Sequence, residues 1–191
     1  MYDNHQPQIS AFARASADNM RKVACFAVCT IRMPLLDAAK DTPYAINGTP
    51  CRSIFGHKHD ALAWLRTNAD GLYEELEYLW DTCASDDAML RAVMQCPGIG
   101  LAKAGFILQM SYGISGCLDS HNLRRYGIGE RYYATGAKAT DRRRISEYNE
   151  TCRKLGGTRA LWDTWCTQLA ETDGRYLSAN EVSGLHLAPL N

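Results

Sequence analysis

Apolar positions recur at helical spacing along most of this chain, and no pair of segments shows the alternation of strands, so the pattern predicts an all-α protein. Phe12, Ala15, Met20, Val23, Phe26 and Ala27 lie near a helical period between Ser10 and Met33, and Pro34 follows. This reads as one long first helix, a piece of core scaffold. Residues 34 to 58 carry Pro34, Pro43, Gly48, Pro50 and Gly56 and read as loop with short helical pieces. His59 to Ala69 and Gly71 to Thr82 each combine an apolar stripe with a charged remainder, the pattern of two helices packed on one side. Their Trp64, Tyr73, Tyr78 and Trp80 are expected in the core or a pocket wall. Ser85 is placed to cap the next helix, with Asp86 and Asp87 in the first turn where the helix dipole favours anions. Met89, Leu90, Val93 and Met94 share one face of that helix, and Pro97 stops it.

Leu101 to Tyr112 differs in kind, because only Lys103, Gln109 and Ser111 interrupt an otherwise apolar helix. A helix apolar nearly all round belongs at the centre of the fold. Gly113, Ser115 and Gly116 break it, Cys117 and Leu118 make a short buried approach, and Asp119 caps the segment SHNLRRYG, which Gly127 ends. Residues 128 to 140 read as loop. Asp141 to Leu155 reads as a basic amphipathic helix ended by Gly156 and Gly157, Arg159 to Ala170 as a last helix, and the remainder to Asn191 as a polar tail.

Composition adds bounds to this picture. A chain of 191 residues, 46% apolar and 22% charged, can bury a substantial core, and one domain over 1–191 is expected, compact or of two intimately packed lobes. No apolar run is long enough to span a membrane, and the N-terminal MYDNHQPQ has no apolar signal core, so a soluble, intracellular (cytoplasmic) monomer is expected. In that setting the eight cysteines are expected as reduced thiols, mostly buried small hydrophobes, and the absence of any CxxC pair argues against a zinc or iron–sulfur site. Net charge is zero, which by itself argues against a nucleic-acid partner, but it is unevenly spread: residues 60–90 carry net −7 and residues 120–159 net +6. One face is thereby suited to DNA and another to repelling it, although solvated helix faces would look the same.

The candidate chemistry sits between Ser85 and Gly127. Gly98-Ile99-Gly100-Leu101-Ala102-Lys103-Ala104 fits the pattern GxGxxxA between two helical segments. Glycines there permit a turn too sharp for a Cβ and leave backbone N–H groups free at the start of the next helix, where a phosphate oxygen binds well. Asp119 stands 19 residues after Gly100, at the head of the helix that follows the buried one. Taken singly, the glycines are a common interhelical turn and Asp119 a good N-cap.

Taken together, PGIG, the GxGxxxA pattern, the apolar helix and the short loop to Leu118-Asp119-Ser120-His121 resemble the helix-hairpin-helix DNA glycosylase superfamily, the group that includes endonuclease III. The resemblance covers about 45 residues around Asp86 to Arg125. SHNLRRYG is also similar to compact phage-encoded relatives. The resemblance implies an all-α, two-lobed helical bundle with double-stranded DNA as partner and the active site in the interlobe cleft. The hairpin at Gly98, Ile99 and Gly100 would hold a DNA phosphate, with Lys103 as a further candidate phosphate contact, and the target nucleotide would turn out of the stack. Arg124 and Arg125 either serve the DNA backbone or pair with the net −7 region. Asp119 matches the family's essential aspartate, whose charge stabilises positive charge developing at the sugar C1′. His121 and Asn122 are candidate supports; His121 would orient Asp119 or meet a phosphate, and as an exposed helical histidine it needs neither role. The run Arg142, Arg143, Arg144 is either a solvated face or a phosphate contact.

Two departures shape the expectation. Members that also cut the backbone carry a lysine two residues after the second hairpin glycine, where this chain has Ala102. Lys103 lies one place later, about 100° further round the helix, so it points elsewhere and no Schiff-base lyase activity is expected. The four-cysteine cluster of the endonuclease III branch is missing as well, so no cofactor and no metal are implied. Three readings follow: a monofunctional DNA N-glycosylase; a phage-type enzyme that transfers an amino acid or amine to an activated 5-hydroxymethyl pyrimidine in DNA; and a noncatalytic DNA-binding module in which Asp119 is only a cap.

Overall fold

The apolar periods do fold as helices. In the computed structural model, which describes residues 6–33, 35–129, 133 and 142–173, there are nine helices and no strand among those residues. In chain order they are α1 (Gln6–Arg14), α2 (Ala17–Cys29), α3 (Leu35–Asn47), α4 (Lys58–Asp81), α5 (Asp86–Val93), α6 (Leu101–Tyr112), α7 (Ser120–Arg125), α8 (Arg142–Lys154) and α9 (Gly157–Asp173). Most of the loop expected over 128–140, and the tail beyond Asp173, lie outside the described residues.

At the centre stand α2 and α6. Residues Val23 to Cys29 of α2 and Ala104 to Tyr112 of α6 are buried without interruption, and both helices pack against α1 and against each other. Phe26 and Phe106 meet there with ring centroids 6.4 Å apart, and Trp165 of α9 packs tilted against Phe106 at 4.9 Å. Among the described residues no helix is long and apolar enough to cross a membrane.

Three boundaries differ from the sequence expectation, each for a physical reason. The long first helix is two: Ser16 takes an extended conformation, and its hydroxyl caps α2 by accepting the Asn19 amide at 3.2 Å. The break lets α1 turn onto α6, where Gln6 Nε2 donates to Gln109 O and Ser10 Oγ to Ser111 O, both at 2.8 Å. Much of the stretch expected as loop is α3, which keeps Pro43 in its interior. An interior proline is disfavoured by about 3 kcal/mol, but Ala38, Thr42 and Ala45 are fully buried at helical spacing, and α3 packs against α2. Burial outweighs the missing N–H. Finally, the two helices expected over 59–82 are one, α4, in which Leu65, Ala69, Leu72 and Leu76 continue a single buried stripe past the exposed Gly71. Tyr78, expected in the core, lies on the outer side of that stripe and is 68% exposed.

Candidate DNA-facing site

α5 and α6 pack on each other across the turn 94–100. The Ser85 hydroxyl caps α5 through the Ala88 amide. At the turn Gly98 has φ +75°, a left-handed conformation that a side chain rarely adopts. The Ile99 amide is taken by Cys96 O at 3.1 Å and its side chain is buried, so Ile99 anchors the turn from inside. Gly100 is the N-cap of α6 and has no side chain to cap with. Its carbonyl accepts from Lys103 and Ala104, whereas the amides of Gly100, Leu101 and Ala102 have no protein acceptor among the described residues. Those three donors head a helix, where the dipole favours an anion.

Next to the turn stands a residue that the sequence did not single out. A Cβ on Gly98 would lie 3.2 Å from His57 Cδ2 and 3.3 Å from His57 O, so the exposed His57 abuts the hairpin. Its neighbour Lys58 is wholly buried; Nζ donates to Cys29 O at 3.0 Å and Ser53 O at 2.8 Å and lies 4.2 Å from the centre of the Phe55 ring. Burial pulls the Lys58 ammonium down to about 8, and the charge of Lys103 pushes the same way. No periodicity or spacing marks either residue, because their contacts come from α2 and the hairpin.

Lys103 is half-buried and turned into the fold. Its ammonium donates to Thr30 Oγ1 at 2.9 Å and lies 5.1 Å from the Phe106 ring centre. Two ammonium groups, Lys58 and Lys103, thus converge on the C-terminal end of α2, where the helix dipole favours cations. The Lys103 charge is also felt by the Cys117 thiol, which faces Asp119 and which burial pushes well above its ordinary range. Thr30 and the Phe106 ring thus hold the Lys103 ammonium on the inner side of α6.

Asp119 is the N-cap of α7. Its Oδ1 accepts the amides of His121 at 3.1 Å and Asn122 at 3.0 Å, and its backbone carbonyl accepts Leu123 N at 2.9 Å. Both cap amides fall on one oxygen, so the cap does not consume the second. The carboxylate is half-buried, His121 is exposed, and Asn122 is fully buried with Nδ2 donating to Cys117 O at 2.6 Å. Asn122 Oδ1 has no partner among the described residues. Arg124 and Arg125 are exposed in the last turn of α7, as are Arg142 and Arg143 in the first turn of α8, while Arg144 lies over the Tyr133 ring.

The segment that delivers Asp119 is held on every side. Gly113 closes α6, and the chain returns along it at Gly105, where a Cβ would come within 2.3 Å of Gly116 O and 2.7 Å of Tyr148 Oη. Tyr148, from α8, donates its hydroxyl proton to Gly116 O at 2.6 Å and accepts the Leu118 amide at 3.0 Å. Gln109, one of the polar interruptions in α6, accepts Cys117 N at 3.1 Å and donates to Thr158 O at 3.0 Å. These residues were not foreseen as part of the site. The spacing of Ile145, Tyr148, Asn149 and Cys152 does mark a buried face of α8, but not what that face holds.

Five cysteines are buried, Cys51 and Cys166 are half-buried, and Cys83 is exposed; all eight are free thiols. No group of histidine, cysteine and carboxylate side chains among the described residues is arranged to hold a metal ion. Comparison of the chain with known protein families, with curated proteins and with solved structures finds no match.

Proposed function

We propose that the chain is a monofunctional DNA N-glycosylase-like enzyme that acts on a base turned out of double-stranded DNA. The observation that carries this reading is the pairing of unbonded amides at Gly100, Leu101 and Ala102 with an aspartate held by the return segment of the same helix. A DNA phosphate binds at the start of α6, with His57 beside it and the arginines of α7 and α8 as further backbone contacts. The extruded nucleotide then lies against Asp119. As the bond from C1′ to the base lengthens, positive charge grows on the sugar, and the carboxylate stabilises it. Water adds its hydroxyl to C1′, and its remaining proton balances the departing base. Ala102 in place of a nucleophilic lysine, together with Lys103 bound to Thr30, supports hydrolysis without backbone cleavage.

The test is base release from duplex oligonucleotides carrying damaged or modified bases, phage-type pyrimidines included. Asp119→Asn keeps duplex binding and loses release; wild-type protein that frees no base from any such duplex would end this reading.

One observation favours a second reading. Ala102, standing where members that cut the backbone carry a lysine, fits transfer of an amino acid or amine to an activated 5-hydroxymethyl pyrimidine as well as it fits hydrolysis. Mass spectrometry of nucleosides after incubation with activated DNA and amines separates the two: a heavier nucleoside marks transfer, a free base marks excision. If Asp119→Ser preserves every function of the protein, the residue is a cap alone and the chain a noncatalytic DNA-binding module.

A further inference from the structure

α8 reaches both halves of the candidate site. At one end of its buried face Ser146 Oγ donates to Asp87 Oδ2, and Asn149 Nδ2 donates to Asp87 Oδ1 at 2.8 Å, so α8 is fastened to the first turn of α5, the helix that leads into the glycine turn. Between those bonds Tyr148 holds the 116–118 backbone by both a donated and an accepted hydrogen bond. Asn149 is tied to the same return loop, since its Oδ1 accepts from Ser115 Oγ at 2.9 Å. Tyr148 and Asn149 are buried, 0% and 1% exposed.

From this geometry we infer that Tyr148 is a positioning residue for Asp119, and that α8 is a brace fixing the carboxylate relative to the glycine turn. The physical basis is the short lever. Leu118 immediately precedes Asp119, and its amide and the Gly116 carbonyl are held by one hydroxyl whose ring is seated edge-on against Tyr133 at 5.0 Å. A group with both donor and acceptor duties on consecutive peptides removes the rotation that would otherwise let the Asp119 Cα swing. The Gly105 contact blocks movement toward α6, and Leu161 of α9, 2.3 Å from where a Gly116 Cβ would stand, blocks the other side. Asp119 is therefore set by its approach, and the α7 cap bonds follow from it.

The inference has a structural arm that needs no substrate and a catalytic arm that rests on the activity proposed above. In Tyr148→Phe the ring packing stays and both hydrogen bonds go. Amide solvent-exchange rates in the full-length, 15N-labelled protein are expected to rise roughly tenfold at Leu118, and severalfold at His121 and Asn122, whose acceptor is Asp119 Oδ1. Tyr73→Phe, which removes a hydroxyl bond to Arg14 O elsewhere, is the control and leaves those three amides unchanged. Faster exchange at Leu118 with unaltered His121 and Asn122 would overturn the positioning role, and so would equal acceleration in the control. Should Tyr148→Phe lose its cooperative melt, Gln109→Met, which frees the Cys117 amide, takes its place in the same measurement. With a duplex oligonucleotide from which wild type releases base, Tyr148→Phe lowers kcat by about tenfold to a hundredfold and leaves KM and duplex affinity within about twofold; unchanged kcat would overturn the inference. If wild type releases no base at all, the proposed activity falls and the exchange rates alone decide the positioning role.

Discussion

Gly105 and Gly116 approach so closely that a Cβ on the first would lie 2.3 Å from the carbonyl oxygen of the second. Both are backbone atoms of buried segments, so neither can swing aside. Gly105→Ala is therefore expected to destabilise the fold at or above the overpacking range of about 1–3 kcal/mol. Gly116→Ala meets only Leu161 Cδ1 at a comparable distance, the far end of a side chain that can repack, and is expected to be milder. Urea unfolding of the two variants tests the order; a milder Gly105→Ala would mean that the return segment is loosely held.

At the opposite extreme, Gly71 lies exposed in the interior of α4 with nothing within 4 Å of an added Cβ. Replacing a helical glycine by alanine there gains propensity and meets no atom. Gly71→Ala is expected to raise stability by about 0.5–1 kcal/mol, readable as a higher urea midpoint at unchanged slope.

The cap and the chemistry of Asp119 are separable. Asp119→Ser retains a capping oxygen and is expected to lose only a few tenths of a kcal/mol, whereas Asp119→Ala loses about 0.5–2 kcal/mol. Base release, under the proposed function, disappears in both. Stability and activity measured side by side on the two variants show whether they part in this way.

Gly98 carries φ +75° and an added Cβ would lie 3.2 Å from His57 Cδ2, so Gly98→Ala brings backbone strain of about 1–2 kcal/mol and displaces the hairpin against His57. Under the proposed function, duplex affinity is expected to fall roughly tenfold in Gly98→Ala. Titration of labelled duplex by fluorescence anisotropy at fixed salt checks it, and unchanged affinity would place DNA elsewhere on the surface.

Alkaline pH should unfold the protein through its thiols. Burial raises Cys25, Cys29, Cys96, Cys152 and Cys166 from about 9 to about 12 and raises Cys117 as well. A group whose folded value is raised contributes stability that is complete below its unfolded value and is lost as pH climbs towards the folded one, here from about 9 to about 12. Lys58 runs the other way: its folded value is lowered from 10.5 to about 8, so between those two values the unfolded chain holds the proton longer and this contribution rises with pH. Six thiols oppose one amine. The melting temperature is expected to fall steadily above pH 9, and more steeply in Lys58→Met, which removes the opposing contribution; equal slopes in the two proteins would show that Lys58 titrates normally.

What the sequence determined by itself is what local physics writes into short windows. The 3.6-residue recurrence of apolar side chains marked α5, α8 and most of α9, because a helix must bury a stripe whatever it packs against, and a nearly unbroken apolar run marked α6. Ser85, Asp119, Gly127 and the Gly156-Gly157 pair announced their boundaries through capping and turn conformations that depend only on neighbouring residues. The glycine turn and Asp119 were legible for the same reason. The tertiary structure decided the rest. Whether Ser16 breaks a helix, whether α3 survives Pro43 and whether α4 runs through Gly71 were settled by burial against α1, α2 and α6, where packing outweighs propensity. Lys58 at the end of α2, His57 against Gly98 and Tyr148 on the approach to Asp119 join side chains to backbone 29, 41 and 30 residues away, contacts with no period and no spacing to announce them. A sequence names the residues able to do chemistry; the directions in which they are held come from bonds that exist only once distant helices meet.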